Sequence, residues 1–253
     1  MSASATPPTP STPSTPSRLD ALRIHIFADG ADLPGLVALS KNPLIQGFTT
    51  NPTLMRRAGI SDYLAFASDV LAAIPDRPIS FEVFADEWDE MERQAHRLAT
   101  LGSQVFVKIP VTNTRGESAR PLVERLATAG LRLNVTAMTS DAQVRHMAPA
   151  LARSPAAFVS IFAGRVADTG RDPVPMMARA VRDLADLPHI RLIWASPREL
   201  LNIFQADAIG CHVITVTFDI LGKLGLVGKD LDAYSLETVR MFHEDGRAAG
   251  YRL

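Results

Sequence analysis

The sequence predicts a (β/α)8 TIM barrel, an α/β fold of eight parallel strands, with an extra C-terminal helix. Short apolar segments of strand length alternate eight times with longer amphipathic segments, which is typical of βαβ units. Eight such units in about 230 residues match the usual size of this barrel. No Gly-x-Gly-x-x-Gly turn follows any of these segments, which disfavours the alternative of an open dinucleotide-binding sheet.

The strands are predicted from apolar runs that are rich in Val, Ile and Phe and lie between turn-forming residues. The eight predicted strands are 23–28, 47–50, 79–84, 105–112, 132–136, 157–162, 191–195 and 212–216.

The helices are predicted from apolar periodicity and from their end signals. Asp32 is an expected N-cap with Pro34 in the first turn, and Gly130 is expected to close a helix over 120–129. Ser140 or Asp141 is expected to begin a helix that reaches about residue 152. A Gly- and Asp-rich loop is expected over 164–173. The other predicted helices cover 63–71, 87–100, the segment from 173 to about 187, 197–206, 218–225 and 231–246.

Residues 1–18 are nearly all Ser, Thr, Pro and Ala. This composition predicts a solvated, extended tail, followed by a single barrel domain over 19–253. The tail lacks the apolar core of a secretory signal, and Cys211 is the one cysteine of the chain. A reducing, cytoplasmic location is therefore expected.

Charge and composition narrow the possible partners. The chain has 26 Lys and Arg against 27 Asp and Glu, so no nucleic-acid or membrane-surface partner is expected. No apolar stretch is long enough to span a bilayer. The histidines are scattered without a His-x-x-x-His pair or a Cys/His cluster, so no metal site and no cofactor are expected.

Lys108 lies in the middle of the apolar strand 105–112. Side chains alternate between the faces of a strand, so Phe106 and Lys108 share one face. A lysine in apolar surroundings is costly unless it is paired or loses its proton. A neutral amine can attack a carbonyl to form a Schiff base. The alternative is a solvated lysine on an edge strand.

Polar residues follow nearly every predicted strand, where a plain core would carry Val, Ile or Leu. Chemistry in a (β/α)8 barrel gathers at the carboxyl ends of the strands, so these residues predict an active site there. They are Asp29, Asn51, Glu82, Lys108, Asn134, Thr136, Ser160, Arg165, Ser196 and Arg198.

Most of these residues also have an ordinary structural interpretation when taken singly. Asp29 and Asn51 stand where turn residues are common, and the arginines could be surface cations. Phe162 could simply pack in the core. Glu82 is harder to explain in this way, because carboxylates are uncommon in apolar strands.

Several segments, taken together and in order, resemble the transaldolase family. The pair "TTNP" and "VKIP" is the most specific part of this resemblance, which covers residues 24 to 240. The length is similar to that of the short members, which include the fructose-6-phosphate aldolases. The matching segments are GFTTNPT at 47–53, SFEV at 80–83, VKIPVT at 107–112, LNVT at 133–136, SIFAGR at 160–165 and ASPR at 195–198.

The resemblance implies a role for each candidate. Lys108 would form the Schiff base, and Asp29 would move the proton of the hydroxyl beside the breaking carbon–carbon bond. Glu82 and Thr136 would hold a water that relays protons. The residues implied in binding sugar hydroxyls or the carbonyl region are Asn51, Asn134 and Ser160, and those implied in holding a phosphate are Arg165, Ser196 and Arg198.

Two positions separate transfer from free aldol cleavage. The chain has Glu82 where the short aldolases carry Gln, and Phe162 where they carry Tyr. Both favour a transaldolase that passes a dihydroxyacetone unit between sugar phosphates. A Schiff-base aldolase and a barrel that binds a phosphorylated metabolite without turnover are the alternatives. Gly30 and Pro197 depart from the commoner residues of the family, which leaves the choice of sugar open.

The C-terminal segment 231–246 carries Leu236, Val239, Met241 and Phe242. It could pack on its own barrel or on a neighbouring copy. The resemblance implies a homo-oligomer, because the short transaldolase-like proteins usually form rings.

Overall fold

Eight parallel strands close into a barrel in sequence order, β1 to β8, as the sequence predicts. The computed structural model describes residues 18–253, so the predicted tail, apart from residue 18, lies outside the described residues. The strands are β1 (His25–Asp29), β2 (Ile45–Thr49), β3 (Ile79–Glu82), β4 (Val105–Pro110), β5 (Leu133–Met138), β6 (Ala157–Ile161), β7 (Ile190–Trp194) and β8 (Val213–Thr217).

Helices follow each strand, and most begin at the predicted signals. Asp32 caps the first helix through the Gly35 amide, and Ser140 forms a capping box with Gln143. The helices are α1 (Leu33–Ser40), α2 (Pro52–Arg57), α3 (Tyr63–Ala73), α4 (Trp88–Ala99), α5 (Arg120–Thr128), α6 (Asp141–Met147), α7 (Ala163–Ala167), α8 (Val174–Asp183), α9 (Leu201–Ala208), α10 (Phe218–Leu221) and α11 (Leu231–Ala248).

Two of these predictions were wrong, and one helix was missed. The expected loop over 164–173 begins inside α7, and α2 was not foreseen, because neither short helix has enough turns to show apolar periodicity. The helix predicted from Pro197 begins only at Leu201, and Ser196, just before the predicted start, has a positive φ of 59°.

The amino-terminal half of the barrel interior holds an aromatic cluster. Phe27, Phe106 and Phe158 pack together there, and the Phe158 ring centroid lies 5.6 Å from that of Phe27 and 4.4 Å from that of Phe106. Each buried phenylalanine contributes about 1.5–3 kcal/mol to the stability of the fold. Lys108 follows Phe106 on the same face of β4, so strand alternation carries it above this apolar floor. A closed barrel has no edge, so the edge-strand interpretation of Lys108 is wrong.

The chain divides into two compact units. One is the barrel, Arg23–Leu224, and the other holds Gly225–Leu253 together with the described residues 18–22. The second unit contains α11, which Asp230 caps through the Ala233 amide and in which no residue is buried. Within residues 18–253, no helix combines the length and the apolar character needed to cross a membrane.

Candidate active site

The carboxyl ends of the strands surround a cleft with a volume of about 270 Å³. Glu82 lines an adjoining cleft that shares Asp29, Asn51 and Phe162 with the first one. The structure thus brings all the predicted site residues to one end of the barrel. The predicted residues that line the first cleft are Asp29, Asn51, Lys108, Asn134, Thr136, Ser160, Phe162, Arg165, Ser196 and Arg198.

Lys108 is the buried cation at the centre of this end of the barrel, with 6% of its surface exposed. Its Nζ lies 3.0 Å from Glu82 Oε2 and donates a hydrogen bond of 2.9 Å to the Thr50 carbonyl oxygen. The sheet register aligns Glu82 with Lys108 across β3 and β4. Because neighbouring residues of parallel strands project to the same side, the register itself pairs the carboxylate with the amine.

Asp29 ends β1 and faces the cleft. It accepts a hydrogen bond of 2.7 Å from Thr49 Oγ1, and Thr49 is in turn hydrogen-bonded to Thr215. Burial raises the pKa of Asp29 above its usual value, although the charge of Lys108 and the Thr49 hydrogen bond oppose this rise. A carboxyl group with a raised pKa is suited to carrying a proton between reacting groups.

Three polar side chains form a buried chain across the barrel. Ser160 Oγ donates to Asn134 Oδ1 at 2.7 Å, and Asn134 Nδ2 donates to Ser80 Oγ at 3.0 Å. This arrangement fixes the orientation of the Asn134 amide. It leaves the second Nδ2 hydrogen of Asn134 available to an acceptor in the cleft.

Thr136 has a buried Oγ1 with no hydrogen-bond partner among the described residues. Buried hydroxyl groups are normally hydrogen-bonded to protein or water. Thr136 also lines the cleft that contains Lys108, so its hydroxyl is available to a water or to a substrate there.

Asn51 has both a structural and a site-facing part. It is the N-cap of α2, and its Oδ1 accepts a 3.0 Å hydrogen bond from the Leu54 amide. The same side chain lines both clefts. Because the oxygen is engaged in capping, the amide nitrogen is the group that remains free to donate to a ligand.

The two candidate arginines follow β6 and β7, and both line the cleft. The Arg165 guanidinium lies over the Phe162 ring, 5.3 Å from its centroid. Arg198 forms a two-point ion pair with Asp168, in which Nε lies 3.0 Å from Oδ1. The side chains of Arg198 and Asp168 are both about half exposed. The Asp168 carboxylate binds the guanidinium group of Arg198 and would compete with any anion bound there.

Gly164 and the Ser196 backbone are in very close contact near Arg165 and Arg198. A Cβ at Gly164 would lie 1.6 Å from the Ser196 carbonyl oxygen, so only glycine permits this approach of α7 to the segment after β7. Ser196 itself has a positive φ, which is uncommon for a residue with a side chain. The close contact fixes the backbone that leads to Arg198.

Tyr63 is the clearest site neighbour that the sequence analysis missed. Its Oη donates to the Glu82 carbonyl oxygen and accepts from the Glu82 amide, both at 2.8 Å. Its ring packs between Phe81 and Phe84. Tyr63 begins a helix rather than following a strand, so the strand-end rule could not find it. The sequence analysis also missed four contact residues of the site, namely Thr49, Thr50, Ser80 and Asp168.

Residues 18–253 contain no evident metal centre. In that part of the chain, no group of three or more His, Cys, Asp or Glu residues is arranged to hold a metal ion.

Comparison with known proteins gives a consistent result. The model of the family described as Transaldolase/Fructose-6-phosphate aldolase matches residues 26–251. A "Probable transaldolase" of Dehalococcoides mccartyi is 34% identical over 202 residues, which are 79% of this chain and 90% of that protein. Another "Probable transaldolase", from Thermoanaerobacter sp., is 31% identical over 228 residues, 90% of this chain and 99% of that protein.

The solved structures support the fold. A monomeric dihydrodipicolinate synthase variant superposes with a TM-score of 0.56 at 12% identity, over 89% of this chain and 79% of that one. At that identity the likeness concerns the barrel architecture alone. The family match spans most of the sequence, and with the relatives above 30% identity it decides the classification. This chain belongs to the transaldolase/fructose-6-phosphate aldolase family.

Proposed function

We propose that the protein is a transaldolase that moves a dihydroxyacetone unit from a ketose phosphate to an aldose phosphate through a Schiff base on Lys108. The observation that carries this proposal is the position of the Lys108 amine. It is buried, bonded to Glu82 and Thr50, and open to a cleft that also contains Asp29. Donors such as sedoheptulose 7-phosphate or fructose 6-phosphate have the required carbonyl at C2.

In the first stage the Lys108 amine attacks C2 of the ketose and forms a carbinolamine. Attack requires an unprotonated amine, and the Glu82 carboxylate 3.0 Å away is placed to take the proton. Loss of the C2 hydroxyl as water then needs an acid, which the protonated Glu82 supplies. The Thr136 hydroxyl, which has no hydrogen-bond partner among the described residues, is suited to holding a water that relays the proton between Glu82 and the carbinolamine.

In the second stage Asp29 accepts the proton of the C4 hydroxyl, and the C3–C4 bond breaks. The aldehyde leaves, and the electron pair of the bond moves into the iminium to give an enamine on Lys108. The raised pKa of Asp29 favours this proton transfer at neutral pH. The enamine then adds to the acceptor aldehyde, Asp29 returns the proton to the new hydroxyl, and hydrolysis releases the product.

The sugar is proposed to bind along the polar residues of the cleft. The amide groups of Asn51 and Asn134, with Ser160, would bind the hydroxyls of the three-carbon unit. Arg165 and Arg198 would bind the phosphate, because guanidinium groups match phosphate oxygens in pairs. The Ser196 hydroxyl would complete the phosphate contacts.

A transfer assay tests this proposal against its alternatives. With fructose 6-phosphate and erythrose 4-phosphate, we expect more than one equivalent of glyceraldehyde 3-phosphate per active site to form only when the acceptor is present, and none to form in Lys108→Met. Phe162 offers a matched variant, because Phe162→Tyr adds a hydroxyl near the imine and should release free dihydroxyacetone.

Two results would contradict the proposed transfer. Rapid release of dihydroxyacetone by the unaltered protein without an acceptor would identify an aldolase. Tight binding of the sugar phosphate with no turnover would identify a binding protein.

The proposal includes assembly of the protein as a cytoplasmic homo-oligomer. The apolar side chains of α11 support it, because Val239 and Phe242 are 60% and 65% exposed and such residues are usually covered in an assembly. Light scattering should give a mass well above the 27.4 kDa of one chain, and Phe242→Asp should lower it. A monomeric mass for the unaltered protein would contradict this proposal.

A further inference from the structure

The hydrogen-bond ladder between β2 and β3 stops early, next to the reactive lysine. These strands pair only through Phe48 with Ile79 and Thr49 with Ser80, and Thr50 adds one bond from its amide to the Ser80 carbonyl at 3.2 Å. The parallel register requires the next bond to join the Glu82 amide to the Thr50 carbonyl. Among the described residues this bond is replaced by two others.

The two backbone groups that this bond would join are each hydrogen-bonded to another partner. The Glu82 amide donates to Tyr63 Oη at 2.8 Å, and the Thr50 carbonyl accepts from Lys108 Nζ at 2.9 Å. The backbone amide and carbonyl of one strand residue point to the same side, and Tyr63 Oη binds both groups of Glu82. The tyrosine hydroxyl thus takes the place that the β2 backbone would otherwise occupy.

We propose that Tyr63 is a positioning residue for the Schiff-base lysine, acting through the strand that carries Glu82. By satisfying the Glu82 backbone it keeps β2 and β3 apart and leaves the Thr50 carbonyl free to hold Lys108 Nζ. It also fixes the backbone from which the Glu82 carboxylate reaches the same amine. The expected effect of Tyr63 on kcat rests on the proposed function. Its expected effect on the position of Lys108 does not.

Tyr63 is itself held in place by packing. Its ring lies 6.3 Å from that of Phe81 and 5.5 Å from that of Phe84, measured between centroids. Tyr63 is partly buried, and burial raises its pKa, so the hydroxyl stays protonated and donates to the Glu82 carbonyl oxygen. Without the hydroxyl, the Glu82 amide would lose its acceptor, and the nearest available acceptor in the register is the Thr50 carbonyl.

The test is Tyr63→Phe, which removes only the hydroxyl. We expect the ladder to close, so that the Glu82 amide bonds to the Thr50 carbonyl and Lys108 loses that acceptor. Misplacement of a reacting group by about 1 Å can lower a rate about 100-fold. We expect kcat to fall by about 10–100-fold and KM to stay within about twofold, because the proposed sugar contacts lie on other residues.

Two control variants separate positioning from general stability. Tyr234→Phe removes the same hydroxyl from an exposed tyrosine of α11 and should leave kcat unchanged. Phe84→Ala removes a mostly exposed ring that packs on Tyr63 but leaves the hydroxyl, so it should lower kcat less than Tyr63→Phe does. Equal kcat losses in Phe84→Ala and Tyr63→Phe at equal Tm would overturn the positioning role.

A crystal structure of Tyr63→Phe decides the structural claim without any activity. The expected result is a hydrogen bond from the Glu82 amide to the Thr50 carbonyl and a displaced Lys108 Nζ. Retention of the Lys108 to Thr50 bond with the ladder still open would overturn the inference. If the unaltered protein forms no Schiff base at all, the proposed function fails, and this crystal comparison still decides whether Tyr63 positions Lys108.

Discussion

The ion pair between Glu82 and Lys108 should contribute both to the stability of the fold and to the rate of imine formation. Glu82→Gln tests both contributions. The two charges lie 3.0 Å apart, with 18% and 7% of their side chains exposed. Removing one partner of a buried pair costs about 3–5 kcal/mol. Glu82 retains some solvent and a glutamine can still accept a hydrogen bond, so we discount the expected loss to about 2–3 kcal/mol.

In a domain of this size, 1 kcal/mol shifts Tm by about 2–4 °C, so Glu82→Gln should lower Tm by about 4–12 °C. The variant should also slow imine formation by about 10²–10⁴-fold, because it removes the acid and base of that step. Thermal melts and stopped-flow trapping with borohydride would measure the two effects on the same sample.

Lys108→Met and the double variant complete the test as a thermodynamic cycle. If the pair interacts as the geometry indicates, the double variant should be more stable than the sum of the single losses predicts, by about 1–3 kcal/mol. Additive losses of stability, together with a Tm for Glu82→Gln within about 1 °C of the unaltered protein, would show that the two side chains do not stabilise each other.

Three further predictions concern other parts of the cleft. Burial raises the pKa of Asp29, so its ionisation opposes folding as pH rises. Asp29→Asn should therefore have a higher Tm than the unaltered protein at pH 8, lose that advantage in acid, and have a kcat lowered by about 10²–10⁴-fold. The same Tm difference between the two proteins at both pH values would contradict this. Asp168→Asn should free the fork of Arg198 and lower KM for a phosphorylated donor by about threefold to tenfold, whereas a higher KM would mean that Asp168 orients the arginine. Gly164→Ala forces a Cβ against the Ser196 carbonyl oxygen and should cost about 1–3 kcal/mol or more, which denaturant unfolding would measure; unchanged stability would contradict the contact.

The sequence predicted the barrel well because eight strands each carry a strong apolar run. All eight strands were confirmed, with ends that moved by at most two residues. Tertiary context sets these ends: β2, for example, begins at Ile45, two residues before the predicted start, because it pairs with β1 there. The short helices α2 and α7 escaped prediction because one or two turns carry no periodic signal.

The positions of the candidate site residues were predictable because parallel strands all end at one side of a barrel. Their hydrogen bonds were not. The Tyr63 contact with Glu82 joins residues 19 apart in the sequence, and the pair of Arg198 with Asp168 spans 30. Such contacts depend on how loops and helix starts fold back over the strand ends, which no local pattern records.

The most direct test of the central claim is to trap the Schiff base. The protein would be incubated with fructose 6-phosphate, reduced with borohydride and digested, and its peptides weighed by mass spectrometry. We expect a three-carbon adduct on Lys108 and none elsewhere, with no adduct in Lys108→Met. A bound sugar phosphate with no adduct on Lys108, or an adduct on another lysine such as Lys229, would contradict it.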